Sequence, residues 1–165
     1  MENKVESITR AVVDTIKLIA RNILRGRLIA ARLSKIGSIE ADIKASQESV
    51  VMADKRVAEA KKHLAVSEYD KTKLDANHPL FAEMTKSQDE AIASDKKYLE
   101  STEADAKAVK AASERDIAAY NKEIAEQNDG IAKIEKGETK VSKEDLAELT
   151  DKLLMEHGRE AVRNL

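Results

Sequence analysis

The chain's 165 residues are 36% charged and 42% hydrophobic, carry a net charge of −2 and include no cysteine. That rules out a disulfide framework, a thiolate metal site or a cysteine nucleophile, and with one Phe, three Tyr and no Trp the core falls to Ile, Leu, Val and Ala rather than aromatic rings. One Pro and five Gly leave few turns, no alternating β-type run occurs, and the Ala, Glu, Lys, Leu and Asp bias is that of long helices, so the expected class is all-α.

The first expected element, residues 1–37, is a basic amphipathic helix. Residues 1–39 hold eight Lys/Arg against three Asp/Glu, leaving 21 against 28 in the rest of the chain. At about 100° per residue, with Lys17 at zero, Arg10, Arg21, Arg25, Arg32 and Lys35 fall within about 80° on one side. Arg27 points elsewhere. Val5, Ile8, Val12, Ile16, Ile19, Ile23, Ile29, Leu33 and Ile36 occupy the opposite arc, from about 100° to 260°. The cationic side is the candidate partner-binding stripe, and the aliphatic side is the candidate oligomer or packing face. Glu2, Glu6 and Asp14 argue against an organelle-targeting peptide, which is poor in acids.

The second element, residues 38–134, is an antiparallel hairpin of two long helices with its turn at 75–80. Ile29, Ile36, Ile43, Val50, Val57 and Leu64 recur every seven residues, and Arg32, Ile39, Ser46, Ala53, Ala60 and Ser67 follow each by three, with Leu74 beyond. This is a coiled-coil seam with branched residues in one row and mostly small ones in the other. The phase runs through Gly37-Ser38, which predicts a continuous or kinked helix there. Asn77 or His78 is placed to cap a returning helix, with Pro79 in its first turn. Folding back about Asn77 sets Val57 across from Tyr98 and Ile29 near Glu126. In the returning helix Ala106–Ile117, Val109–Tyr120–Ile131 and Ser113–Ile124 are spaced by eleven, close to the pitch of a straight helix. The third element, 138–165, is a short C-terminal helix. Ser142-x-x-Asp145 resembles a capping box, Leu146, Leu149, Leu153 and Leu154 share one side, and His157-Gly158 is the expected stop.

Nothing in this pattern points to catalysis. His63, His78 and His157 have no second histidine at ligand spacing, and Asn128-Asp129-Gly130 lacks the alternating acids of a calcium loop and reads as a turn. No phosphate-cradling glycine loop or nucleophile elbow occurs, and a two-helix hairpin offers no concave site for a substrate. Tyr98 and Tyr120 read as packing residues on the apolar stripe rather than base-stacking platforms. No cofactor, metal or small-molecule substrate is expected.

A solvated face balanced by the acidic body, a nucleic-acid backbone, a membrane surface and an acidic protein groove all suit the cationic stripe. The missing Trp and Phe weigh against the membrane. Missing aromatic interleaving weighs against base readout, while arginine suits phosphate. The expected function is a non-enzymatic, self-associating helical scaffold or adaptor that docks through its basic helix. The alternative is a nucleic-acid-binding accessory protein using the same stripe. A homo-oligomer or larger assembly is expected because a thin hairpin buries little apolar area alone. The setting is expected to be intracellular and soluble, with no apolar run long enough to cross a membrane.

Overall fold

The structure, a computed structural model, describes residues 2–163, with side chains described over 9–157. It contains three helices, α1 (Glu2–Thr72), α2 (Phe81–Glu135) and α3 (Lys143–Arg163), and no strand occurs among the described residues. The class is all-α, and α1 and α2 pair as an antiparallel hairpin. Gly37 and Ser38 do not interrupt α1. The chain divides into two compact units, one of Met1–Ser38 with Glu123–Leu165 and one of Ile39–Lys122. No helix among the described residues is long and apolar enough to cross a membrane.

The Ile39–Lys122 unit is the hairpin seam itself. Every α1 position set inward by the seven-residue repeat, Ile39, Ile43, Ser46, Val50, Ala53, Val57, Ala60, Leu64 and Ser67, is buried or half-buried, and the positions between them are exposed. On α2 the matching row is Phe81, Thr85, Gln88, Ile92, Asp95, Leu99, Thr102, Ala106, Val109 and Ser113. This row alternates steps of three and four. It takes two steps of four in succession, from Val109 through Ser113 to Ile117, and then resumes. The eleven-residue spacing is therefore a single four-residue insertion in a heptad pattern, which locally unwinds the supercoil. The same phase puts Leu99 in the seam and leaves Tyr98 57% exposed, which corrects its expected place on the stripe.

Small polar layers punctuate the seam. Ser46 and Ser113 donate to each other's side, Ser46 Oγ to Ser113 Oγ at 2.9 Å and Ser113 Oγ to the Ser46 carbonyl at 3.3 Å. Ser67 Oγ donates to Asp95. Along the edges Asp54–Lys110, Lys61–Glu103, Glu68–Lys96 and Lys71–Asp89 pair across the two helices. Such exposed pairs contribute little stability, typically about 0–1 kcal/mol each, but they favour one register and orientation.

These pairs place Val57 between the levels of Lys110 and Glu103 rather than across from Tyr98. The shift arises at the connection. Residues 73–80 hold two successive four-residue turns rather than one: His78 N–H donates to the Asp75 carbonyl and Phe81 N–H to the His78 carbonyl, with Leu80 N–H donating to His78 Nδ1. Pro79 sits inside the second turn and α2 starts two residues later, at Phe81. Because Lys71 meets Asp89, the end of α1 lies level with the third turn of α2.

In the other unit, α2 ends where Gly137 takes φ +75°. Gly137 N–H donates to the Ile134 carbonyl and Glu138 N–H to the Lys133 carbonyl. This paired pattern terminates a helix in a left-handed residue, which glycine adopts without penalty. Asn128–Gly130, expected as a turn, lies inside α2. The N-cap of α3 is as the sequence suggests at Ser142, whose Oγ accepts the Asp145 N–H at 3.3 Å. Glu144, not Asp145, takes the Ser142 hydroxyl proton. Its own backbone N–H first, and then Ser142, hold its carboxyl below the usual range. The helix passes His157-Gly158 and runs to Arg163. One interior glycine costs about 1 kcal/mol relative to alanine, and the Arg, Glu and Ala that follow are good helix formers.

The hydroxyl layer tests the register in a chain without natural cysteine. The variant Ser46→Cys with Ser113→Cys is expected to close a disulfide within one chain under mild oxidation, read as faster mobility on a non-reducing gel at monomer mass. Val57→Cys with Tyr98→Cys is expected not to close. The opposite pattern would sink the register.

Candidate functional site

The expected cationic stripe divides in two. Three of its members are held by their own chain. The Arg32 guanidinium packs over Gly130, in the space a Cβ there would need, and its Nη1 donates to Gln127 Oε1 at 2.9 Å. Lys35 pairs with Glu123 at 2.6 Å. Arg25 reaches the end of α2, where its Nη2 stands 3.0 Å from the place a Cβ on Gly137 would occupy. The carbonyl end of a helix carries partial negative charge, so a cation belongs there. Arg25 and Arg32 are half-buried and continue the seam's second row N-terminally, seven residues apart. Opposite them Gly130 and Gly137, also seven apart, leave room for two guanidinium groups.

The remaining members, Arg10, Lys17 and Arg21, are exposed, as is Arg27, and none makes an ion pair with a described residue. Three arginines and a lysine thus stand exposed on about five turns of α1, with no ion-pair partner among the described residues.

The aliphatic arc also divides. Ile16 is 7% exposed and Ile23, Ile29 and Ile36 are half-buried, joined inside by Val13, Ala20 and Leu24. Val12, Ile19 and Leu33 face outward with 50%, 43% and 54% of their area exposed. Val5 and Ile8 lie outside the residues whose side chains are described. Leu18, which the stripe reading passes over, is exposed as well. Between Ala11 and Gly37 the arc from about 100° to 220° on α1 carries no charged residue. Its two glycines, Gly26 and Gly37, have nothing within 4 Å of the place where a Cβ would stand. Each costs its helix about 1 kcal/mol relative to alanine, and no contact inside the chain requires either. Two glycines eleven residues apart on one side of a long helix are the sequence signal for this face.

A half-open groove of about 620 Å³ lies between Leu24, Arg27 and Leu28 of α1 and residues 139–152. It is rimmed by Lys140, Asp145, Glu148 and Lys152. No three His, Asp or Glu side chains among the described residues converge as metal ligands. His63 and His78 are exposed. Lys133 hydrogen-bonds Asp129 one turn away and holds its carboxyl below the usual range, an exposed pair within α2. Compared with family models, with curated proteins and with solved structures, the chain matches none.

The division of the stripe has a direct consequence for stability. Arg25→Glu places a carboxylate at the negative end of α2, and Arg32→Glu removes the Gln127 bond, so each is expected to destabilise by about 1–3 kcal/mol. Arg21→Glu is expected to stay within about 0.5 kcal/mol of the parent. Urea titration followed by circular dichroism reads all three, and equal midpoints would show that Arg25 and Arg32 are as free as Arg21.

Proposed function

We propose that the protein is a non-enzymatic structural component, a self-associating helical scaffold or adaptor that docks through the basic head of α1. The observation that carries this reading is the separation of the cations of α1. Arg25 and Arg32 are half-buried against Gly137 and Gly130 and Lys35 pairs with Glu123, whereas Arg10, Lys17, Arg21 and Arg27 stand exposed beside an uncharged apolar face. Exposed cations add little to folding but steer and orient an anionic partner. The acidic surface of another protein suits them best, since no aromatic side chain lies among them to stack on bases. A cysteine-free chain without an Asn-x-Ser/Thr acceptor supports an intracellular setting.

One feature favours the nucleic-acid reading. Three of the four exposed cations are arginines, whose planar guanidinium matches phosphate. In that case contact is with the backbone and independent of base sequence.

A salt series separates the two. Binding of the full chain to polyglutamate and to mixed-sequence duplex DNA is measured by fluorescence anisotropy, beside the variant Arg10→Glu, Lys17→Glu, Arg21→Glu. Both readings expect the triple variant to keep its helicity and lose binding. The adaptor reading expects polyglutamate to bind at least as well as DNA. Tighter DNA binding, with a log–log salt slope of about −0.9 per phosphate contact, would transfer the function to nucleic acid. Unchanged binding by the triple variant would sink both.

A further inference from the structure

We infer that the uncharged face of α1 pairs with the same face of a second copy of this chain, antiparallel and centred on Gly26. This rests on the self-association proposed above and names its surface and partner. In a chain that is 36% charged, Val12, Leu18, Ile19 and Leu33 keep 43–56% of their area exposed on a face with no charge from Ala11 to Gly37.

The spacing of the face is its own complement. Counted from Gly26, the outward positions fall symmetrically, with Asn22 and Ala30 four residues away, Ile19 and Leu33 seven, and Thr15 and Gly37 eleven. A twofold axis through Gly26 maps this set onto itself, as an interface between identical copies demands. Glycine then meets glycine at the axis, where two backbones come closest, and Ile19 meets Leu33 of the other copy on either side. Thr15, the hydroxyl on this face, donates to the Ala11 carbonyl of its own helix at 2.9 Å and so brings no unpaired donor into the contact.

Charge selects the orientation. A parallel pair would lay the heads side by side, each with eight Lys/Arg against three Asp/Glu over residues 1–39. The antiparallel pair sets residues 4–21 of each head along residues 31–48 of the other, where three cations and three anions balance. Glu40, the first charge to return to this side, then comes level with Val12 of the other copy, at the outer end of the contact. The face, about 40 Å long and 10 Å wide, covers roughly 400 Å² per copy, half of the ~800 Å² of a standard interface. The dimer is therefore reversible and concentration-dependent. It is held by apolar contact rather than ion pairs, so it persists in high salt, where docking through Arg10, Lys17 and Arg21 fails.

Sedimentation of the full chain across micromolar to near-millimolar concentration tests this, at low and high salt. The expected result is a mass rising from one chain toward two at both salts. Gly26→Leu, which meets open space in the single chain, is expected to keep helicity and remain one chain throughout. Gly26→Ala is expected to raise the melting temperature of dilute protein by about 2–4 °C while weakening the dimer. For orientation, a mixture of Ile19→Cys and Leu33→Cys chains is expected to crosslink under oxidation while Ile19→Cys alone does not. Self-crosslinking of Ile19→Cys alone would overturn the antiparallel pairing. A single chain at every concentration, or a Gly26→Leu mass equal to the parent's, would overturn the pairing itself. Binding of such a monomer to vesicles of anionic lipid, strengthened in Gly26→Leu by the added apolar area, would assign the face to a membrane instead. Because the salt-dependent docking is read separately, failure of the dimer leaves that result standing, and loss of docking leaves the dimer standing.

Discussion

Side-by-side packing of α1 on α2 is the constraint on which everything else in this fold depends. Two helices can cover only one stripe of each other, so few side chains leave water completely. Of the eight buried hydrophobic residues among those described, four are alanines, and Ile134 is the one large side chain among them that is fully enclosed. With so little area per layer, stability comes from repetition of the same small gain along many turns. Small residues at Ser46, Ala53, Ala60, Ala106 and Ser113 let the backbones come near, and Ile, Val and Leu fill the intervening layers.

A seam this regular also has to say where it begins and stops. The hydroxyl pair Ser46–Ser113 and the Ser67–Asp95 bond reward one register among several that the apolar repeat alone would tolerate. At the other extreme the repeat runs on into Arg32 and Arg25, and α2 answers with Gly130 and Gly137. There the layer is built from two flat cations over two bare backbones. The second of them sits at the left-handed turn that ends α2, so one residue pair both closes the seam and neutralises the helix end.

Much of this was legible in the sequence because it is periodic. The row from Ile29 to Leu64 specifies a helix, a face and a partner at once, and the whole row is found inward. The Ser142 cap and the continuity through Gly37 followed from equally local chemistry. What escaped was non-local. The eight-residue connection around Pro79 allows several registers, and only cross-helix contacts choose between them, which is why Tyr98 was placed inside and Leu99 was not. Arg25 and Arg32 looked like the rest of a cationic stripe since their partners lie about a hundred residues on, at glycines that leave no hydropathy signal. The division of the aliphatic arc, Ile16 and Ile23 inward against Ile19 and Leu33 outward, needed the position of a third helix. Amphipathic patterning marks a face as apolar but not what covers it.

The spacing of the cross-helix contacts along the chain also bears on how the hairpin assembles. Partners near the connection are close in sequence, Lys71 with Asp89 at 18 residues and Ser67 with Asp95 at 28, whereas Ser46 and Ser113 are 67 apart and Arg32 and Gln127 are 95. Loop-closure entropy grows with separation only logarithmically, but each bond made near residues 73–80 shortens the loop that the next must close. Folding should therefore run like a zipper from the connection toward Arg25, and opening should run back the other way. Amide exchange would read this as protection that rises from the Arg25–Gly137 end toward the connection. The end that carries the exposed cations is thus the end that yields first, so anything that grips it also governs the lifetime of the folded chain.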